Sequence, residues 1–168
     1  MTSPSSLFPV VAGRVAVLLI SLAAPVSAQS PDDLKAYGDY RLNIENYQQY
    51  LDASINLLNV AVMDPILSKR LHDLGIQPVA EQIKQLNGVP EARSAISRTG
   101  LTTRDYVLVQ GAALQAGKAH TLVKNGKLSL DNASKKPGVS RANLEFYQNN
   151  EARISSLLRD FEMRKPKT

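Results

Sequence analysis

The sequence predicts an all-α fold, a compact bundle of three long helices with two or three short helices that bridge the first two. Apolar residues recur every three or four positions in three long segments, which is the spacing of one helical face. Proline, serine and threonine stand where helices should begin, and glycine stands where several should end. The alternation typical of strands is missing from the sequence. We expect the long helices near residues 31–62, 103–124 and 141–163.

The first long helix begins with Ser30-Pro31-Asp32-Asp33, which supplies an N-cap serine, a proline at the first helical position and an acid at the third. Asp64-Pro65 should end this helix and open a short one, because the residue before proline avoids helical geometry. Two more short helices are expected at Pro78 and Pro90. The buried stripe of the first helix should contain Tyr37, Tyr40, Ile44, Tyr47, Leu51, Leu58 and Ala61, and that of the first short helix Ile66, Leu67, Leu71 and Leu74.

The helix from residue 103 should lie at the centre of the bundle. Thr102 is placed to cap it, and Asp105 to complete a capping box. From Tyr106 to Val123 nearly every side is apolar or small, so other helices should surround this one. Six small residues should let neighbouring backbones approach closely: Gly111, Ala112, Ala113, Ala116, Gly117 and Ala119.

Two polar segments flank the last long helix, which Ser140 should cap. Residues 125–139 are predicted to form a surface loop because they are rich in Asn, Ser, Lys, Gly and Pro. Residues 164–168 are predicted to form a frayed basic tail.

Residues 1–28 have the features of a secretory signal peptide. Arg14 precedes an apolar run over 15–24, which is too short for a bilayer that takes about 20 residues, and Val26-Ser27-Ala28 supplies a small-residue cleavage site. We expect cleavage between Ala28 and Gln29, which leaves a single helical domain over 29–168 in the periplasm or secreted, without a transmembrane anchor. An uncleaved anchor is the alternative, but no charged stop-transfer segment follows.

Charge is distributed unevenly along the chain, which has 20 Lys+Arg, 15 Asp+Glu and no cysteine. Without cysteine, an exported protein has no disulfide, no thiolate metal ligand and no lipid-bearing cysteine. Residues 29–83 contain 4 basic and 8 acidic side chains, whereas residues 84–168 contain 15 and 7. A basic half favours an anionic component of the envelope, with an unknown protein as the other expected partner, and export disfavours nucleic acid. Solvated surface charge is the alternative explanation.

No catalytic, metal or cofactor site is predicted. The sequence has no serine-nucleophile motif, no paired carboxylates on one helical face and no phosphate-binding glycine loop. His72 and His120 are its two histidines, and they lack the spacing of metal ligands. We therefore do not expect an enzyme, and the candidates for an interaction or ligand-facing surface are Tyr50, Arg104 and His120.

Each candidate also has a structural interpretation. The tyrosines of the first helix, Tyr37, Tyr40, Tyr47 and Tyr50, can line a ligand cleft or pack in the core with their hydroxyls at the bundle edge. Tyr50 lies off the apolar stripe and should be the most exposed of the four. Arg104 is expected to pair with an acid of the first helix, and His120 to act as a cation near a helix C-terminus.

Two motifs stand out in the second half of the chain: Leu101-Thr102-x-Arg104-Asp105-Tyr106-Val107, followed by the small-residue helix, and Gly138-Val139-Ser140-x-Ala142-Asn143. In these motifs the chain resembles a group of small exported proteobacterial helical proteins of unknown function. The resemblance covers roughly residues 90–160 and implies no activity.

The leading functional expectation is a non-enzymatic, exported binding or interaction protein of the bacterial envelope. The alternative is a helical bundle that binds a small ligand or non-covalent haem, with His120 and either Met63 or Met163 as iron ligands on facing helices.

Overall fold

A computed structural model describes residues 29–75 and 77–166, and this part of the chain is helical and contains no strand. The predicted all-α bundle is confirmed. The expected signal peptide, residues 1–28, lies outside the described residues. In the described ranges no helix combines the length and apolar character needed to cross a membrane. The helices are α1 Pro31–Asp39, α2 Ile44–Met63, α3 Pro65–Leu74, α4 Val79–Asn87, α5 Pro90–Ser97, α6 Thr103–Lys124, α7 Leu130–Ser134, α8 Arg141–Asn149 and α9 Glu151–Arg164.

The first predicted long helix is two helices, so the prediction of one helix over 31–62 is wrong. Helix α1 ends at Asp39, and α2 begins after a break of four residues. At the break, the Asn43 side chain accepts from the backbone N–H of Asn46 at 2.8 Å, and the Asn46 side chain accepts from the N–H of Asn43 at 3.0 Å. This reciprocal cap starts a new helix while the three- and four-residue apolar spacing runs on through the break.

One buried side chain from α8 binds the backbone at the break between α1 and α2. Asn143 is 0 % exposed. Its Oδ1 accepts from the backbone N–H of Leu42 at 2.9 Å, and its Nδ2 donates to the backbone carbonyl of Tyr40 at 2.8 Å. The two backbone groups therefore keep their hydrogen bonds although no helix supplies them.

The central position of α6 is as predicted, because α1, α2, α4, α5, α7 and α8 all pack against it. Its two glycines, however, lie against aromatic rings. The ring of Tyr37 lies where a side chain at Gly111 would be, and the ring of Tyr147 lies against Gly117. The hydroxyl of Tyr147 then donates to the carbonyl of Ala113 at 2.9 Å, inside the core.

The segment predicted as a surface loop, 125–139, contains the short helix α7. Ala133 of this helix and Val139 are buried, and together with Ala119 and Leu144 they form a second, smaller core cluster. The segment is therefore partly packed in spite of its polar composition.

The last predicted long helix is also broken. Asn150 separates α8 from α9, and its Nδ2 donates to the carbonyl of Phe146 at 2.8 Å, at the end of α8. Helix α9 ends at Arg164, whose guanidinium donates to Asp52 at 2.7 Å and to Asp160 at 3.0 Å. Arg164 is thus held against α2 and does not belong to a frayed tail.

Replacing Asn143 with alanine should destabilise the protein by about 2–5 kcal/mol, because a buried N–H and a buried carbonyl both lose their partner. Urea unfolding followed by circular dichroism measures the change. The control is Asn149→Ala, an exposed position on the same helix, which should change the free energy of unfolding by no more than about 0.5 kcal/mol. Equal effects of the two substitutions would contradict the bridging role of Asn143.

Gly111→Ala should cost about 1–3 kcal/mol, because the added methyl group occupies the place of the Tyr37 ring. The cost should largely vanish in a Tyr37→Ala background, and a double-mutant cycle on unfolding free energies measures that coupling. Gly88→Ala is the control, since its backbone φ is −73° and its new methyl group would make only ordinary contacts. A Gly111→Ala effect that is independent of residue 37 would refute the assignment.

Candidate functional site

Five aromatic rings from α2, α6 and α8 form one cluster in the core. The distances between neighbouring ring centroids run from 5.2 Å for Tyr50 and Tyr106 to 6.4 Å for Tyr47 with Tyr50 and with Tyr147. Phe146 is the fifth member, and every ring is buried. The tyrosine-rich start of α2 therefore builds the interior of the bundle, as the core-packing interpretation expected, and does not line a cleft.

The cluster hydroxyls find partners inside the protein, which corrects the expectation that they reach the bundle edge. The hydroxyls of Tyr106 and Ser54 are 3.2 Å apart, and Ser54 in turn donates to the carbonyl of Tyr50 at 2.8 Å. Burial raises the pKa of Tyr47 and of Tyr106 to about 12. These phenols are therefore neutral at physiological pH and hold the core together through hydrogen bonds.

Tyr50 is not the exposed tyrosine that the sequence predicted. Its side chain is only 4 % exposed. The prediction assumed one buried face for α2, but four helices pack against it: α3, α5, α6 and α9. A helix with neighbours on several sides buries residues beyond one stripe.

His120 lies at the edge of the aromatic cluster, where its ring stacks on Tyr147 with centroids 5.7 Å apart and an interplanar angle of 27°. Burial lowers the pKa of His120; Glu151 opposes this shift, and Lys124 adds to it. The basic residue in the last turn of α6 is Lys124, which forms an ion pair with Glu151 of α9. His120 is therefore a neutral stacking partner near neutral pH, and Lys124 takes the place of the predicted helix-end cation.

Arg104 is exposed in the first turn of α6. The salt bridges within 29–75 and 77–166 do not include the expected one between Arg104 and an acid of the first helix. The neighbouring Asp105 makes the link instead, because the Tyr40 hydroxyl donates to its carboxylate at 3.4 Å. Asp105 also accepts from the Thr102 hydroxyl at 2.5 Å, while its own N–H donates to Thr102 at 3.0 Å.

The three predicted candidates do not meet in one site. Arg104 and His120 stand 16 positions apart on α6, which corresponds to about 24 Å at the rise of an α-helix. Tyr50 is buried in the core. For the haem alternative, a methionine ligand has to face the bundle interior, but Met63 is 84 % exposed and Met163 is 76 % exposed. Among the described residues, no group of three or more His, Asp or Glu side chains is placed to hold a metal ion.

The most unusual surface of the described chain is one that the sequence did not predict. At the turn between α2 and α3, Val62, Met63 and Ile66 are 55 %, 84 % and 68 % exposed. We call these three residues the apolar tip. Ile66 was expected to belong to the buried face of its helix, which in fact buries Leu67 and Leu74. A signal was present: in sequence, Ile66 is three and four positions before Lys69 and Arg70, and therefore on their side of the helix.

Of the charged residues beside the apolar tip, the acidic one is compensated by its neighbours and, within the described ranges, the two basic ones are not. Lys69 and Arg70 are exposed one turn after Ile66. The carboxylate of Asp64 accepts from the N–H groups of Ile66 at 2.9 Å and Leu67 at 3.1 Å, so the positive end of α3 already compensates it. The basic pair is therefore the nearest uncompensated charge to the tip on this helix, whose remaining exposed acid, Asp73, lies a further turn away.

This chain matches no protein-family model, no curated protein and no solved structure.

Stability should fall as the pH drops from about 7 to about 5, and His120 should contribute to that fall. Because the folded-state pKa of His120 lies below the unfolded value of 6.5, the unfolded chain binds a proton first, and the folded form loses stability below that pH. Thermal unfolding at a series of pH values should show a smaller decline for His120→Gln than for the original chain. Identical declines would contradict the assignment.

Proposed function

We propose that the protein is an exported, non-enzymatic binding protein that attaches to an anionic lipid surface of the bacterial envelope through the apolar tip. One observation carries the proposal: Val62, Met63 and Ile66 are exposed together beside Lys69 and Arg70. In the described part of the chain, the only other large apolar side chain exposed to this degree is Met163.

The hydrophobic effect supports contact between the tip and a lipid phase. Each methylene group removed from water contributes about 0.8 kcal/mol, and the tip leaves most of three aliphatic side chains in water. The three residues lie at a turn between two helices, so they can enter the headgroup region while the helix axes stay outside. Aliphatic residues that enter the interface, with cations beside them, are typical of peripheral membrane binding.

Electrostatics supports an anionic surface. A lysine or arginine near such a surface contributes about 1 kcal/mol, and Lys69 and Arg70 follow Ile66 on the same exposed side of α3.

The size of the tip favours lipid over a protein partner. A specific protein interface takes roughly 20–30 residues from each side. Three apolar residues at a turn are few for such an interface, whereas shallow insertion into a bilayer needs no matching surface.

Export and lack of catalysis belong to the same proposal. Export is supported by Arg14, the apolar run and the Val26-Ser27-Ala28 cleavage motif. A non-enzymatic role is supported by the buried tyrosines Tyr106 and Tyr147. Their hydroxyls form hydrogen bonds with partners in the core and do not face an open cleft.

Flotation with lipid vesicles tests the proposal. The protein should bind vesicles that contain phosphatidylglycerol more strongly than neutral phosphatidylcholine vesicles, and added salt should weaken the binding. Replacing Met63 and Ile66 together with serine should reduce the vesicle partition constant by at least about tenfold. Met163→Ser is the control, because it removes a methionine of similar exposure outside the tip and should leave binding unchanged.

The charge contribution is measured with a second pair of variants. Changing Lys69 and Arg70 to glutamine should reduce binding about thirtyfold at low salt, since two contributions of about 1 kcal/mol are lost. Changing Arg93 of α5 and Arg98, the residue that follows this helix, to glutamine removes the same charge elsewhere and should have a much smaller effect. Absence of binding to anionic vesicles, or equal losses for both pairs, would refute the proposal. A photo-crosslink from position 63 to a protein would then identify a protein partner.

A further inference from the structure

We infer that Gln29 is a modification site, at which the side-chain amide closes onto the α-amine to form a pyroglutamyl N-terminus held by Gln115. The inference rests on the cleavage between Ala28 and Gln29 that the proposed export entails. It concerns a residue outside the apolar tip and uses a different observation, the hydrogen bond between Gln29 and Gln115.

The chemistry needs no co-reactant. The freed α-nitrogen of Gln29 attacks its own side-chain carbon Cδ, and a five-membered ring forms. The new bond is N–Cδ, the bond that breaks is Cδ–Nε2, and a proton passes from the α-nitrogen to the departing nitrogen, which leaves as ammonia. The amide oxygen Oε1 stays in the product as the lactam oxygen, and no oxidation state changes.

The structure holds that oxygen in a defined place. The Oε1 atom of Gln29 accepts from Nε2 of Gln115 at 3.0 Å, and Gln29 is half-buried. Its backbone position is set by the next residue, because Ser30 caps α1 by accepting from the N–H of Asp33 at 3.1 Å. Gln115 belongs to the central helix α6, and its side chain also lies against Gly138. Both partners of the hydrogen bond are thus fixed by other elements.

A donor at this oxygen favours ring closure. When the α-nitrogen attacks Cδ, negative charge develops on Oε1, and a donor that is already in place stabilises that charge. Because the same oxygen remains in the lactam, Gln115 can keep its hydrogen bond after ammonia has left. The product also lacks the α-ammonium group, so no positive charge remains beside the N-terminus of α1, where the helix dipole disfavours a cation.

Mass spectrometry of the mature protein, expressed as the full precursor and purified from the envelope, decides whether the modification exists. The N-terminal peptide should begin at residue 29 and weigh one ammonia less than the unmodified peptide. An N-terminal peptide with intact Gln29 would overturn the inference and leave the export proposal standing. A processed N-terminus at another residue would overturn the inference and leave export standing, whereas an uncleaved N-terminus would overturn both. Gln29→Asn is the analytical control, because its shorter side chain cannot form the five-membered ring.

The contribution of Gln115 is measured by pulse-chase labelling of the same precursor. The modified fraction should rise about 2- to 10-fold more slowly in Gln115→Leu than in the original chain, the effect of one lost hydrogen bond. Gln148→Leu, an exposed position on α8, is the matched control and should not change the rate. Equal rates in all three proteins would overturn the role assigned to Gln115.

Discussion

The buried amide of Asn143 is the interaction on which the arrangement of the helices depends. It binds the carbonyl of Tyr40 and the N–H of Leu42, and so lets the chain leave a helix and start another without stranding polar groups in the core. That break gives α1 a direction of its own, so Tyr37 can reach Gly111 while the following tyrosines of α2 build the aromatic cluster. Helices α1, α2 and α8 are tied at one residue.

The sequence predicts the parts of this fold that local signals control. Ser30 and Thr102 cap the helices that they were expected to cap, and α6 has the predicted bounds and surroundings. The breaks near Asn43 and Asn150 were missed, because the apolar spacing runs through both of them. The first break depends on Asn143, about 100 positions away in the chain, and the apolar spacing within one segment carries no information about such a partner.

The surface was harder to predict than the core. Tyr50 was expected at the surface because a single apolar stripe was assigned to α2, yet four helices pack against α2 and Tyr50 is buried. Ile66 was assigned to a buried face together with Leu67, although only Leu67 is buried. Hydrophobicity alone does not distinguish an apolar residue that packs from one that protrudes. The distinction depends on where the next helix lies, which is a property of the assembled bundle.

The contact between Tyr37 and Gly111 limits which substitutions these two positions can accept during evolution. Neither residue can change freely while the other is kept: a side chain at 111 removes the space for the ring, and a smaller residue at 37 leaves a cavity beside the central helix. In sequences that share this fold, substitutions at positions 37 and 111 are therefore expected to occur together. Such paired substitutions would reveal that α1 packs against α6 even without a structure.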